Sequence, residues 1–347
     1  MRAPILGWDV GGANVKAVRL CDSADTLEVV ERPLALWREP HRLAPVLAEV
    51  ARDLGGAQTM AVTMTAELAD CFATKREGVA FVLDAFGAAF PGVAPRVYAV
   101  DGRFRSVREA RECPLDIAAA NWMAAAALVA RTCPDAVLID VGSTTSDVIP
   151  IVAGRVAAIG RTDPERLASG ELVYTGALRT PICAIVRLLP LGGRRCRVAA
   201  ERFAIAADVY RWLDRIEDGD YTCDTPDGRG RSRPEAGARL ARMVGADLDM
   251  IGAGDLTAMA ECVAKAQVRQ IAGGIRQVRR RLGTAFPRLA VVAGQGAFLA
   301  EAAARAAGLA TRSLAAEIGS AARAAPAAAV ALLLADAEER REAVEEQ

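Results

Sequence analysis

Short apolar runs alternate with helically spaced apolar residues through the first half of the chain. The runs predict strands over 4–10, 15–22, 27–36, 59–65 and 96–101. The helical spacing predicts helices over 41–54, 76–90 and 115–132. The first half is therefore expected to form a three-strand meander that continues into helices.

The second half begins with the same pattern. Predicted strands over 136–141, 146–152 and 154–160 form another meander, followed by helices between 197 and 217, 234 and 247, and 256 and 282. A strand over 288–294 and a helix over 298–308 precede an Ala-rich helical region that Pro326 interrupts. A supersecondary unit that recurs at this distance predicts two similar domains rather than a solenoid.

Each meander opens with Asp-Val-Gly and small polar residues, in "LGWDVGGANVKAV" (6–18) and "LIDVGSTTSDVIPI" (138–151). Glycine permits a sharp turn and close approach of another group, and consecutive backbone N–H groups in such a turn form an anion-binding nest. The hydroxyl groups of the second turn add donors. The candidate phosphate-binding residues are Gly11, Gly12, Asn14, Gly142, Ser143, Thr144 and Thr145.

Carboxylates next to these turns suggest a metal. Asp9 and Asp140 repel phosphate, so we expect them to hold a hydrated Mg²⁺ that bridges to phosphate oxygens. Asp147 is a further candidate ligand or a turn cap, and Lys16 brings a positive charge to the same anion. A third glycine-rich turn, "AVVAGQGAF" (290–298), adds Gly294, Gln295 and Gly296 as candidate binding residues.

Composition narrows the possible functions. A length of 347 residues suits two domains, and equal numbers of basic and acidic residues, 43 each, argue against nucleic acid as the main partner. Eight scattered cysteines without a C-x-x-C pair predict reduced, mostly buried thiols, and the lone His41 leaves little material for histidine chemistry. No apolar run approaches the roughly 18 to 20 residues of a membrane span, so a cytoplasmic protein, as a possible homo-oligomer, is expected.

The three turns together resemble the actin-like ATPase and sugar-kinase superfamily. Asp9–Lys16 resembles its first phosphate loop, Asp140–Asp147 its second, and Gly294–Gly296 its adenosine-side loop. The helices over 115–132 and near 314–335 resemble its two connecting helices. The resemblance implies an α/β fold of two domains, with mixed sheets flanked by helices around a central cleft. It places the first domain at 1–133 plus 318–347 and the second at 134–317.

Further motifs resemble a subfamily near the hydantoinase A group, linked to tetrahydromethanopterin-dependent C1 metabolism. They are "VTMTAELADCFATKREGV" (62–79), "AAANW" (118–122), "ELVYTGALRTP" (171–181) and "TPDGRG" (225–230). The resemblance implies a transferase that makes methanofuran, or the related methylofuran of bacterial methylotrophs. In that reaction the phenol of a tyramine- or tyrosine-type substrate displaces diphosphate from an aminomethylfuran-methyl diphosphate. An ATP-dependent small-molecule kinase or ATPase is the alternative, because it uses the same loops.

The remaining candidates concern the phenol. Glu67, Asp70 and Glu171 are candidate bases, each with a helix cap or a solvated carboxylate as the alternative. The candidate substrate-binding residues are Arg103, Trp122, Tyr174, Thr175, Arg179 and Thr180. Arg179 is a candidate for a substrate carboxylate or an interdomain salt bridge, and Trp122 for aromatic stacking or core packing. The loop 223–234 is either a lid or a surface loop.

Overall fold

Two six-stranded sheets and one separate hairpin hold the strands of the described part of the chain. The structure is a computed structural model, and it describes residues 4–21, 27–56 and 58–345. The first sheet contains β1 (Ile5–Val10), β2 (Asn14–Leu20), β3 (Leu27–Pro33), β4 (Thr59–Met64), β5 (Arg96–Tyr98) and β6 (Phe104–Arg105). The second contains β7 (Ala136–Val141), β8 (Ser146–Val152), β9 (Arg155–Val156), β10 (Leu172–Val173), β13 (Leu289–Ala293) and β14 (Ala310–Ser313). The separate hairpin consists of β11 (Leu188–Leu191) and β12 (Arg194–Arg197).

Helices flank both sheets. They are α1 (Leu43–Asp53), α2 (Lys75–Ala89), α3 (Val107–Glu112), α4 (Pro114–Ile117), α5 (Asn121–Thr132), α6 (Asp163–Ser169), α7 (Ile182–Ile185), α8 (Ala206–Trp212), α9 (Arg233–Arg242), α10 (Ala253–Leu282), α11 (Ala297–Ala306), α12 (Ala315–Ile318) and α13 (Ala325–Glu345). Single 3₁₀ turns occur at Pro40–Arg42, Ala66–Leu68, Gly283–Ala285 and Gly319–Ala324.

The two sheets share one topology. The first has the order β3-β2-β1-β4-β5-β6, in which β1 pairs antiparallel with β2 and parallel with β4. The second has the order β10-β8-β7-β13-β14, in which β7 pairs antiparallel with β8 and parallel with β13. The central strands β1 and β7 are buried along nearly their whole length, as expected for strands covered by helices on both faces. The predicted α/β fold with two related mixed sheets is confirmed.

Two helices exchange between the sheets. Helix α5 follows the first sheet in the chain but packs on β7, β8 and β9, whereas the C-terminal α13 packs on β1, β2 and β4. The two helices also pack against each other. The predicted connecting helices therefore lie between the sheets and tie them together. The domain boundaries at 133/134 and 317/318 stay a prediction.

Several predicted elements are shorter than expected. The helix over 115–132 is split into α4 and α5, because Ala119 between them adopts a left-handed backbone with φ of +53°. The strand over 154–160 shrinks to β9, since the N–H groups of Ile159 and Gly160 bond to the Glu171 carboxylate instead of a neighbouring strand. The helix over 197–217 shrinks to α8, because its first residue, Arg197, ends the β11–β12 hairpin. Pro326 lies in the first turn of α13, where its missing N–H has no helical acceptor to lose.

The prediction that the chain has no membrane span meets one candidate in the C-terminal part of the described residues. The segment Ala315–Ala343 has the length and composition of a span, with a mean hydropathy of 1.6 over its most apolar window. Of that window, 67% is buried inside the protein, in keeping with the packing of α13 on the first sheet. This segment is therefore a core helix of the fold.

The cysteines also differ from expectation. All eight are free, but Cys133 alone is buried, Cys113 is exposed and the other six are partly buried. The prediction of mostly buried thiols is therefore wrong, although none of the eight takes part in a disulfide.

The contact between α13 and β1 depends on Gly7. A Cβ atom at Gly7 would lie 2.1 Å from the Ala327 carbonyl oxygen. We expect Gly7→Ala to lower the free energy of unfolding by about 1–3 kcal/mol, because the backbone of α13 has to move away. Urea unfolding followed by circular dichroism measures this. The matched control is Gly87→Ala on the exposed side of α2, where the added Cβ meets no described atom within 4 Å and no loss is expected. Equal stability of both variants would contradict the tight contact.

Candidate functional site

A cleft of about 640 Å³ lies between the two sheets, where β1 and β7 end. It collects most of the residues that the sequence singled out. Those that line it are Asp9, Gly11, Gly12, Asn14, Lys16, Glu67, Asp70, Gly142, Ser143, Thr144, Thr145, Asp147, Tyr174 and Arg179. The two glycine turns thus face one common space from opposite sheets.

Both turns are closed by the same hydrogen bond. The Gly11 N–H donates to the Asn14 carbonyl over 2.9 Å, and the Gly142 N–H donates to the Thr145 carbonyl over 2.9 Å. The Ser143 carbonyl accepts further bonds from the chain at 178–179, which holds the second turn against the segment before α7. The repeated sequence motif therefore corresponds to a repeated backbone geometry.

Strand register places charged pairs beside each turn. Asp9 lies directly opposite Lys16 on β2, and Asp140 lies directly opposite Asp147 on β8. Directly opposite residues point to the same face of a sheet. The Lys16 ammonium also donates to the Arg323 carbonyl over 3.2 Å and lies 4.0 Å from Glu31, so one cation stands among several oxygen atoms.

Asp9 and Asp140 lie in surroundings that penalise their charge. Burial raises the pKa of Asp9 to about 6, although the Lys16 charge opposes the shift. Burial, with the charge of Asp147 added, raises the pKa of Asp140 to about 7. The Asp9 Oδ1 is buried without a hydrogen-bond partner in the described part of the chain. A cation in the cleft would relieve both effects.

The residues fit a hydrated Mg²⁺ better than a metal held by protein alone. Within residues 4–21, 27–56 and 58–345, no three His, Cys, Asp or Glu side chains are grouped closely enough to ligate one ion. Mg²⁺ commonly takes one or two carboxylates and fills its other positions with water and phosphate oxygens. Asp9, which lines the cleft with an unpartnered oxygen, suits that smaller donor set, whereas Asp140 lies outside the lining and its role as a ligand stays a prediction.

Asp147 has a different partner. Its Oδ1 accepts a hydrogen bond from Arg166 of α6, whose side chain is 2% exposed and stacks over Trp122 with 4.4 Å between guanidinium carbon and ring centroid. Asp147 lines the cleft with this buried arginine beside it, and its role as a metal ligand or a turn cap stays a prediction. Arg166 lines the cleft and was missed, since only tertiary contacts bring it to Asp147.

The structure brings two of the three candidate bases into the cleft, the exposed Asp70 and the buried Glu67. Glu67 is 1% exposed, and neither carboxylate oxygen has a hydrogen-bond partner among the described residues. Burial raises its pKa to about 7, although Lys75 opposes the shift. Lys75 lies 3.7 Å from Glu67 Oε1 and forms a hydrogen bond of 2.7 Å with Asp163 of α6. The sequence analysis included Lys75 only as part of the motif over 62–79, without a role, and did not select Asp163.

Glu171 does not line the cleft. Its carboxylate accepts hydrogen bonds from the N–H groups of Ile159 and Gly160 over 2.9 Å each, and it forms an ion pair with Arg281 of α10. Both oxygens are thus occupied in a fully buried position. The prediction of Glu171 as a base is corrected on this ground: it fastens the segment after β9 to α10.

Four predicted substrate-binding residues also lie outside the lining. Trp122 is buried in the core beneath Arg166, as the core-packing alternative expected. Thr175 accepts a hydrogen bond from Gln267, and Thr180 bonds to both backbone groups of Gly176, so both threonines shape the chain from within. Arg103 is exposed in the turn between β5 and β6. These four predictions of direct substrate contact are therefore corrected.

The glycine turn after β13 packs against the end of β7, outside the cleft lining. A Cβ at Gly294 would lie 2.2 Å from Asp140 Oδ1, and one at Gly296 would lie 2.5 Å from Val141 Cγ1. Gln295 bonds to the Asp220 carbonyl, away from the cleft lining. The two glycines leave room for Asp140 and Val141 of β7, none of the three residues of this turn lines the cleft, and diphosphate binding by them stays a prediction.

The mouth of the cleft is aromatic and basic. The Arg179 guanidinium stacks on Trp37 at 4.7 Å from the ring centroid, so residues from the two halves of the chain meet there. Arg38 forms an ion pair of 2.7 Å with Asp224 in the loop 223–234. Arg179 thus contacts an aromatic ring across the cleft, and Asp224 fastens the loop to the opposite side. Tyr174, which is 58% exposed, completes this rim.

Known proteins share both the sequence and the fold. The model of the family described as hydantoinase/oxoprolinase matches residues 58–339. The chain belongs to the hydantoinase/oxoprolinase family. Within the part shared with this family lie the second turn, Glu67, Lys75 and Asp163, whereas the first turn precedes it.

Two similar proteins carry the name (4-{4-[2-(gamma-L-glutamylamino)ethyl]phenoxymethyl}furan-2-yl)methanamine synthase. The protein of Methanocaldococcus jannaschii is 38% identical over 252 residues, which cover 72% of this chain and 74% of that protein. The protein of Methanococcus vannielii is 37% identical over 147 residues, which cover 42% of this chain and 66% of that protein.

A solved structure shares the architecture at low identity. The ethanolamine utilization protein EutJ from Carboxydothermus hydrogenoformans superposes with a TM-score of 0.50 at 13% identity, covering 96% of this chain and 90% of that one. This likeness concerns the fold alone. Together with the two sheet orders, it confirms the actin-like architecture that the turn motifs predicted.

Gly294 offers a test of the support behind Asp140. We expect Gly294→Ala to be less stable than Gly308→Ala, because only the first also displaces the Asp140 carboxylate. Both glycines have positive φ, +86° and +73°, but a Cβ at Gly308 meets no described atom within 4 Å. Backbone strain of about 1 kcal/mol is common to both variants. Urea unfolding at pH 7 compares them, and equal losses would argue against the contact.

The buried Asp140 makes stability depend on pH. Its pKa is higher in the folded than in the unfolded protein, so its contribution to stability is present below pH 4 and lost as the pH rises through about 7. We expect Asp140→Asn to be more stable than the wild type at pH 8 without Mg²⁺, by on the order of 2–4 kcal/mol. The gain should vanish near pH 4. Denaturant titrations between pH 4 and 8 measure it, with Asp249→Asn on the surface as the control. A pH-independent difference would contradict this assignment.

Proposed function

We propose that this protein is a transferase of methanofuran or methylofuran biosynthesis. It joins (5-aminomethyl-furan-3-yl)methyl diphosphate to a tyramine- or tyrosine-type phenol, forms an aryl ether and releases diphosphate. The phenol oxygen forms a bond to the furan-bound methylene carbon, the bond from that carbon to the diphosphate oxygen breaks, and the phenol proton passes to a base. We further propose that the enzyme depends on Mg²⁺ and acts in the cytoplasm.

The similarity to the Methanocaldococcus jannaschii protein carries this proposal. It extends over 72% of the chain at 38% identity, and the name of that protein describes a phenoxymethyl furan, which is the product of such an ether-forming step. The fold is also compatible with a kinase, but none of the similar proteins described above is a kinase with a sequence identity comparable to that of the two synthases. We therefore favour the transferase over the kinase.

The two turns are suited to hold the diphosphate. Residues of both turns line the cleft, and Ser143, Thr144 and Thr145 bring hydroxyl groups that can donate hydrogen bonds to an anion there. Lys16 adds a positive charge beside the first turn. Donors fixed in place before the reaction stabilise the negative charge that develops on a departing oxygen, because they need no reorganisation as it forms.

Asp9 and Asp140 would hold the Mg²⁺. When bound, the ion would neutralise charge on the leaving diphosphate. The raised pKa values of both carboxyl groups fit a role in which a cation replaces a proton. Arg166 pairs with Asp147 and adds a buried cation to the same wall of the cleft.

Glu67 is suited to receive the phenol proton. It is buried in the cleft with both oxygens free of hydrogen bonds from the described residues, and its pKa of about 7 lies near neutral pH. Trp37 and Tyr174 offer aromatic surface to the phenol ring at the rim. Arg179, held flat on Trp37, is suited to a substrate carboxylate, since a guanidinium binds carboxylates with two parallel hydrogen bonds.

Direct product analysis tests the proposal. The purified protein is incubated with the furan diphosphate, Mg²⁺ and, in separate reactions, tyramine, tyrosine or their glutamyl forms, and mass spectrometry searches for each ether. We expect one phenol to give product with stoichiometric diphosphate release. Asp9→Asn and Glu67→Gln should each lower kcat by at least about 100-fold, as for loss of a charge-stabilising or proton-accepting group.

Parallel reactions keep the outcome clear. ATP with the phenols and without the furan diphosphate tests the kinase alternative, for which ADP release would be the signature. Arg103→Gln, in an exposed turn outside the cleft, is the control and should keep full activity. A folded, Mg²⁺-loaded protein that makes no ether from any phenol would refute the proposed transferase.

A further inference from the structure

We infer that Lys75 and Asp163 form a positioning pair across the cleft, in which Asp163 draws Lys75 away from Glu67 and leaves Glu67 free to accept a proton. The inference rests on the proposed function for the role of Glu67 as a base. The pair itself rests on the geometry of three side chains.

Lys75 stands between two carboxylates from different sides of the cleft. Its Nζ lies 2.7 Å from Asp163 Oδ2, a full hydrogen bond, but 3.7 Å from Glu67 Oε1, too far for one. Glu67 and Lys75 lie next to the first sheet, where α2 packs on the turn Ala66–Leu68. Asp163 begins α6, which packs on β10 of the second sheet. The cation is therefore shared between the two halves of the molecule.

The position of Lys75 in its helix supports a role other than helix stability. It is the first residue of α2, where the helix dipole disfavours a positive charge. Asp163 is the first residue of α6, where the dipole favours a negative charge. Lys75 thus lies at an unfavourable helix end and is held by the carboxylate opposite.

The charges that act on Glu67 are few. Lys75 from α2 lowers its pKa, Asp163 from α6 raises it, and burial raises it most. Asp70 from the same loop and Arg166 from α6 line the same cleft. A buried carboxylate next to an ammonium would be a poor base if the two were fully paired. The bond from Lys75 to Asp163 weakens that pairing without removing the cation.

This arrangement links the base to the closed cleft. If the halves moved apart, Lys75 would keep its neighbour Glu67 and lose Asp163, because the first two side chains belong to one side. Full pairing with Lys75 would then lower the proton affinity of Glu67. The base reaches its full strength only where both sides surround the substrate.

The test reads the protonation of Glu67 directly. Infrared difference spectra of protein labelled with ¹³C-glutamate are recorded from pH 5 to 9 without substrate, and Glu67→Gln identifies the band. Asp163→Asn should lower the pH midpoint of Glu67 protonation, because Lys75 is then free to pair with Glu67. Lys75→Met should raise it, because it removes the cation. Each shift should be about one pH unit, the scale of one nearby charge.

Controls separate this role from a merely structural one. Lys265→Met removes an exposed cation that pairs with Glu261 on α10 and should leave the midpoint unchanged. Asp163→Glu keeps the negative charge, so its pH midpoint of Glu67 protonation should stay within a few tenths of a unit of the wild-type value. The same opposite shifts are expected in the acid limb of the kcat/KM profile. Unfolding midpoints establish that each variant is folded, and Asp163→Ala replaces Asp163→Asn if that variant is not folded.

The outcomes distinguish the two proposals. Opposite shifts in the two variants support the positioning pair, even if the wild type makes no ether, in which case the proposed transferase alone fails. Unchanged midpoints, or shifts in the same direction, overturn the pair, whether or not the ether is formed.

Discussion

The burial of carboxylates where the two sheets meet is the constraint on which the rest of the structure depends. Asp9 and Asp140 end the central strands β1 and β7, where removal from water raises both pKa values. A fold tolerates such groups only beside compensating charge. Lys16 supplies part of it, Arg166 compensates the neighbouring Asp147, and the small residues of the two turns leave the remaining space open to a ligand.

Contacts across the cleft fix how the two halves face each other. Lys75 with Asp163, Arg38 with Asp224 and Arg179 with Trp37 all join residues far apart in the chain. Partly exposed pairs of this kind contribute little to stability, on the order of 1 kcal/mol or less each. Their effect lies in orientation, because they hold the turns, the base and the aromatic rim around one space. More of the packing comes from the apolar helices α5 and α13, which pack on the second and the first sheet, respectively, and on each other.

The family and the fold support different parts of the functional argument. An actin-like architecture accommodates kinases, ATPases and other proteins, so it supports a phosphate-binding cleft but no particular reaction. The proposed ether synthesis comes from the named relatives, and the residues of the cleft make it chemically reasonable. Glu67 joins the two arguments, since it lies in the region shared with the family and its unpartnered oxygens suit a proton acceptor.

The sequence by itself determined the two sheets, the two glycine turns and their facing aspartates, because strand periodicity and turn chemistry are local properties. Local signals did not determine which carboxylates are free. Glu67 and Glu171 both follow or precede strands, yet Glu171 is bound by two N–H groups and Arg281 while Glu67 has no such donors among the described residues. Likewise, Asp147 and Asp140 look equivalent in sequence, but only Asp147 pairs with the buried Arg166. Only the tertiary structure decided these roles, because the proton affinity of a buried group depends on neighbours brought together by the fold.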